Sequence, residues 1–295
     1  MATAPDLHAE TRGEAATGRP RKPRIGLALG GGSARGWAHI GVIRALEDIG
    51  IRADVVAGTS IGALVGAAYA GEQLEPFEYW TRSLTRKGVF DMLDFQIGGG
   101  MIKGTRLMDY FRSHFHDSCI EDLALPFAAT ATALESGAEV WLRSGPTLDA
   151  VRASLALPGM MTPMHHQGRL LVDGGLVNPV PVSLARAMEA DIVIAVELAS
   201  DISRSLRPAP PVESANSGRD WFRRLQASID IMQARISRSR MAGDPPDALV
   251  RPRVAQIGVL DFHRAAEAIE AGRRAVQEMA PVLTACLAAA ENRHA

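Results

Sequence analysis

The chain has 295 residues, 47% of them hydrophobic and 22% charged, with a formal net charge of -1. This length and apolar content suit one large α/β unit with a substantial core, and the near-neutral balance argues against a protein dedicated to nucleic acid, which needs a basic excess. Cys119 and Cys286 are too few and too far apart for a disulfide framework or a metal site, so a reduced, cytoplasmic protein without metal or cofactor is expected.

Residues 1–24 are polar, end in a basic cluster and lack the apolar segment of a signal peptide; they read as a disordered tail. No apolar run reaches the roughly 18 residues of a membrane span. Ile25 to Leu29 reads as a buried strand entering a glycine cluster. A helix follows, with Ile40, Ile43 and Leu46 on one face and Gly50 as its stop. Asp54 to Ala57 is a second strand, running through Gly58 into a small-residue helix from Ile61. Strand, helix, strand, helix implies parallel strands with crossovers, hence an open α/β sheet.

Residues 76–118 are less regular, with a Gly98-Gly99-Gly100 turn and a helix from Thr105 to His116. Phe127 to Leu134 and Glu139 to Leu142 read as strands joined through Ser136-Gly137, and Leu148 to Leu157 as a helix ending at Pro158-Gly159. Arg169 to Asp173 is a strand stopping in Gly174-Gly175. After Pro181 come a helix to Ala190 and an apolar strand from Ile192 to Val196. These elements set a core over 25–200 and a loop or linker over 201–219. A mainly helical extension over 220–295 then packs on the core. In it Phe222, Leu225, Ile229, Met232 and Ile236 recur as one apolar helix face, read as core packing with a lid or membrane-facing role as the rival.

Three motifs carry chemistry. Gly58-Thr-Ser60-Ile-Gly62 lies between a strand and a helix, where a sharp turn exposes the Ser60 hydroxyl and the glycines relieve crowding. Its bland rival is a turn used only for packing. Gly30, Gly31, Gly32, Ser33, Ala34, Arg35 and Gly36 form a second strand–helix junction. A phosphate loop would need Lys and Ser or Thr after Gly36, where Trp37 stands, and the dinucleotide pattern fails because Arg35 takes its last position. An oxyanion hole needs only inward N–H groups and fits best beside a nucleophile. Asp173-Gly174-Gly175 is the third motif. Alone it reads as a turn, but at the carboxyl end of a strand in a parallel sheet it can supply a base.

In this order, with Leu157-Pro-Gly-Met-Met-Thr-Pro163 and Asn178-Pro-Val-Pro181 as flanks, the motifs resemble the patatin-like phospholipase family, in particular bacterial members related to the neuropathy target esterase group. The resemblance covers roughly residues 25–200. It implies a three-layer α/β/α fold with a mainly parallel sheet, and hydrolysis of lipid acyl esters by a Ser–Asp dyad without a catalytic His. Ser60 would be the nucleophile and Asp173 the base. The backbone of Gly31, Gly32 and Ser33, with Arg35 nearby, would form the oxyanion site. The resemblance further implies a lipid or acyl-ester substrate and peripheral membrane contact. Many relatives carry Gly where this chain has Ser33, a position that would strain Ser if it requires positive φ. That departure keeps a rival alive, a weakly active fold serving as a regulatory or binding module. A Ser–Asp–His triad would need His263, the histidine that follows Asp173 in suitable order, and is the lesser reading. Met92, Met101, Met160, Met161 and Met164, with Phe90 and Phe95, could line an acyl pocket or simply fill the core.

Overall fold

The five-residue runs Ile25–Leu29 (β1) and Val55–Thr59 (β2) are buried at every position, as expected of strands covered on both faces. In the computed structural model, which describes residues 21–92, 103–115, 117–199 and 218–294, they pair in parallel at the centre of an eight-stranded sheet. Phe127–Ala133 (β3) lies parallel to β2, and Ile192–Val196 (β7) and Ala248–Val250 (β8) continue the parallel order beyond β1. Glu139–Leu142 (β4), Met164–His166 (β5) and Arg169–Asp173 (β6) are antiparallel additions on the β3 side.

Helices cover both faces, giving the three-layer arrangement. Ala38–Asp48 (α1), Ile61–Ala70 (α2), Leu74–Ser83 (α3), Arg86–Met92 (α4), Thr105–His114 (α5) and Thr147–Ser154 (α6) enclose the larger core, with the long C-terminal helix Ala265–His294 (α9). The opposite face is thinner. There Val182–Ala187 (α7) rests on Ala28, Ala57, Ala128 and Ala195, alternate strand positions whose small side chains let the helix approach. Gly218–Gly243 (α8) lies near the 3-10 turn Gly174–Leu176 that follows β6.

The C-terminal extension is built into this core. A Cβ added at Gly272 of α9 would fall 2.0 Å from the Ala38 carbonyl oxygen, and one added at Gly41 of α1 would fall 1.8 Å from that of Ile269. The two helices therefore cross at backbone contact, and Ile269, Val276 and Leu283 are buried beneath.

Some expectations change. Residues 21–24 of the expected tail are tied to the entrance of β7: Arg21 meets the Asp191 carboxylate at 2.8 Å, which also accepts the Arg24 N–H at 2.7 Å. The stretch read as irregular contains α3 and α4. Asp173 ends a strand that runs antiparallel to its neighbour, not one of the parallel set. Most of the tail, the Gly98–Gly100 turn, His116, Phe95, Met101 and residues 201–217 of the linker lie outside the described residues.

Candidate active site

Strand directions bring the two motif residues together. Along one edge of β3, β4 occupies Ala129 to Thr132; β2 pairs with Ala129 and Thr130, and β6 with Ala131 and Thr132, so both must use the other edge. There they run toward each other. Thr59 is opposite Thr130 and Asp173 is opposite Ala131, so β2 and β6 meet end to end.

Between Thr59 and the first residue of α2 there is only Ser60, and this one residue makes the turn, at φ 55 and ψ -125. A non-glycine residue in such a conformation costs on the order of 1–3 kcal/mol and persists only where neighbours hold it. Here the Ser60 N–H donates to Ser154 Oγ at 2.8 Å, and that hydroxyl donates to the Thr130 carbonyl at 2.7 Å. Thr59 Oγ1 donates to the Asn178 carbonyl at 2.9 Å. Gly62 lets α2 start against β1: a Cβ there would fall 2.1 Å from the Leu29 carbonyl oxygen. Gly58 and Gly174 meet backbone as closely, at 2.4 and 2.2 Å, and Gly36 is pressed against Ile61.

Ser60 Oγ donates to Asp173 Oδ2 at 2.6 Å, and Asp173 Oδ1 accepts the Gly175 N–H at 2.7 Å. Asp173 is 1% exposed. Burial pushes its carboxyl up to about 6, against the opposing pull of the Ser60 and Gly175 hydrogen bonds. A carboxylate so held is a stronger base than one in water, and it is within reach of the proton a nucleophilic serine must lose.

The glycine loop passes directly beside this pair, with the Cβ direction of Gly31 3.5 Å from Ser60 Cβ. Its amides are mostly spoken for. Gly30 N–H donates to the Val196 carbonyl, Gly31 to Pro179, Ala34 to Val259 and Arg35 to Gly32. Gly32 and Ser33 are the two N–H groups between Gly30 and Arg35 with no acceptor among the described residues. The other two members of the expected oxyanion set are placed differently. Gly31 lies against Ser60, but its N–H is engaged. Arg35 spends its N–H on Gly32 and its guanidinium on the Ile257 carbonyl (2.9 Å) and the Asp230 carboxylate (3.5 Å). Ser33 adopts φ 54, the left-handed region that favours glycine.

A cavity of about 1040 Å³, open mouth included, reaches Gly32, Ser33, Ser60 and Asp173. The rest of its lining is largely apolar: Leu64, Trp80, Leu84, Val89, Leu107 and Phe111, with Met92, Met160 and Met161 from the expected methionine set. Met164 is not part of it, and Phe90 is 65% exposed to solvent. From α8 come three polar side chains, Gln226, Asp230 and Gln233. Neither these nor Ser154 stood out in the sequence. The signal available was their spacing, 226, 230 and 233, which puts them on one helix face between apolar positions. His263 does not line the cavity, and its Nε2 accepts from Arg86 Nε at 3.1 Å.

A sequence profile of the family described as Patatin-like phospholipase matches residues 27–186, more than half of the chain. The chain belongs to the patatin-like phospholipase family. Full-length similarity within this family extends to an uncharacterized NTE family protein of Mycobacterium tuberculosis, 33% identical over 85% of this chain and 89% of that protein. Patatin-like phospholipase domain-containing protein 7 of Rattus norvegicus is 39% identical over 60% of this chain but only 14% of its own length. The human domain-containing protein 6 is 38% identical over the same 60%. Among solved structures, VipD from Legionella pneumophila superposes with a TM-score of 0.48 at 12% identity, over 88% of this chain and 67% of that one. For this patatin-like chain, family membership implies a lipid acyl hydrolase.

Proposed function

We propose that this chain hydrolyses lipid acyl esters, of phospholipid or lysophospholipid type, through Ser60 as nucleophile and Asp173 as its base. The observation that carries the reading is the 2.6 Å hydrogen bond from Ser60 Oγ to a buried carboxylate at the end of an apolar cavity. Asp173 takes the Ser60 proton as Oγ attacks the ester carbonyl. The negative charge moves to the carbonyl oxygen, where the Gly32 and Ser33 N–H groups can receive it. Collapse of the tetrahedral species breaks the bond to the alcohol, which leaves with the proton from Asp173. Water, deprotonated by the same carboxylate, then releases the acid from the acyl-enzyme. The acyl chain occupies the space between Leu64, Trp80 and Phe111. No helix among the described residues is long and apolar enough to cross a membrane. A lipid substrate would be met by peripheral contact.

A fluorophosphonate probe tests this directly, because Ser60 Oγ would displace its fluoride and form a stable bond to phosphorus. Wild-type protein should label and Ser60→Ala should not. A folded wild-type chain that fails to label would favour the rival, a binding module that keeps the fold without turnover.

A further inference from the structure

His39 is the second residue of α1 and is fully buried. Its Nε2 lies 2.7 Å from the carbonyl oxygen of Gly30. A carbonyl only accepts, so Nε2 carries the proton and Nδ1 holds the lone pair. That Nδ1 is buried without a partner among the described residues. Burial also pushes the imidazole down to about 4, which keeps the ring neutral at neutral pH. A leucine would fill this space without stranding a nitrogen. Among the described residues, the one polar contact that offsets the burial of this ring is the Gly30 carbonyl.

Gly30 to Gly32 have no side chains, so the contacts made by their backbone groups decide where their N–H groups point. The Gly30 carbonyl and the Gly31 N–H belong to one peptide plane. The carbonyl edge is held by His39, and the N–H edge by the Pro179 carbonyl at 2.9 Å. Gly62 approaches the same carbonyl, since a Cβ there would lie 2.7 Å from the Gly30 oxygen. The next two amides along the chain are Gly32 and Ser33, which have no acceptor among the described residues. Without His39 the plane is hydrogen-bonded along one edge only, and the amides that follow lose their fixed direction.

We infer that His39 is a positioning residue for ester hydrolysis, holding the Gly30–Gly31 peptide so that the Gly32 and Ser33 N–H groups face the oxygen that gains charge. This rests on the proposed roles of Ser60 and of those two amides. His39 touches neither substrate nor Ser60; it acts through the loop.

Three substitutions test it on the full chain, with a p-nitrophenyl ester as substrate. The Gln side-chain amide nitrogen reaches about as far as Nε2, whereas the Asn amide stops short and Leu offers no donor. His39→Leu and His39→Asn should lower kcat on the order of 100-fold, the scale of a lost oxyanion donor, with KM within about twofold. His39→Gln should recover most of kcat. Should His39→Leu fail to fold, the contrast between Asn and Gln carries the same information. Equal kcat in all folded variants, or equal loss in Gln and Asn, would overturn the inference and leave His39 as a core residue. Ser60→Ala separates this from the underlying reading. If Ser60→Ala abolishes turnover while the His39 variants leave it intact, only the inference fails; if Ser60→Ala is fully active, the nucleophile itself is wrong.

Discussion

Ser33 and Ser60 share an unusual backbone, φ 54 and φ 55, for opposite reasons. At Ser60 the hydroxyl is the point of the turn, and strain is the cost of exposing it. At Ser33 the proposed role asks only for the N–H, so the side chain carries a penalty of about 1–2 kcal/mol without evident use. Glycine would remove that penalty while adding about 0.5–1 kcal/mol of chain entropy to the unfolded state. Ser33→Gly should therefore raise stability by up to about 1.5 kcal/mol and keep ester turnover, read by thermal melting and a p-nitrophenyl assay. Lost turnover would mean that the Ser33 hydroxyl itself takes part. Asp173 makes a second residue-scale prediction. Its folded value, about 6, lies above the ordinary 3.8. The fold thus favours the protonated acid: this contribution is present below pH 3.8 and is lost as pH rises through about 6. Above that, the buried charge costs up to about 3 kcal/mol, which Asp173→Asn would remove. The variant should melt higher than wild type at pH 8, and the gain should shrink toward pH 4. A constant difference across that range would mean that burial does not govern this carboxyl. Both residues were legible as motif members. What the sequence hid was which amides remain free, because the acceptors of Gly31 and Ala34 come from Pro179 and Val259, far along the chain.

Helix α8 shows where periodicity misleads. Its apolar spacing suggested one face on the core, and Ile229 is indeed buried, yet Met232 is 49% exposed and Ile231 45%. The side that meets the cavity carries Gln226, Asp230 and Gln233, because it faces a charged loop as well as apolar walls. Spacing reports that a helix has a buried face, but not whether that face meets core or a site. The exposed side, with Ile231, Met232, Arg224 and Arg235, suits a lipid surface. Replacing Arg224 and Arg235 by Ala should weaken binding to anionic vesicles, and salt should weaken wild-type binding likewise. Unchanged vesicle binding would leave α8 as a cavity wall alone. Helix α3 was missed for a different reason. Leu74, Phe77, Thr81 and Leu84 do recur at helical spacing, but the run is short and its aromatic partners, Phe111 and Phe115, lie in α5 and just after its end.

At the scale of the whole molecule, the parallel order of β1, β2 and β3 and the helices between them followed from alternating strand and helix patterns. The reversal of β6 did not. An antiparallel strand of five residues carries the same apolar pattern as a parallel one, and its direction is set by partners distant in sequence. That reversal is what lets Asp173 meet Ser60 from the opposite end of β3's edge, so the site is a consequence of topology as much as of motif. In the proposed mechanism the carboxylate is the proton acceptor itself, with no histidine between. The most direct test is turnover of a p-nitrophenyl ester by Asp173→Asn and His263→Ala, each shown to fold. Asp173→Asn should lose activity nearly as fully as Ser60→Ala, by about 1000-fold or more, because an amide cannot take the proton. His263→Ala should stay within about twofold of wild type, with the acidic limb of its pH profile still near 6. Substantial turnover in Asp173→Asn, or its abolition in a folded His263→Ala, would contradict the dyad.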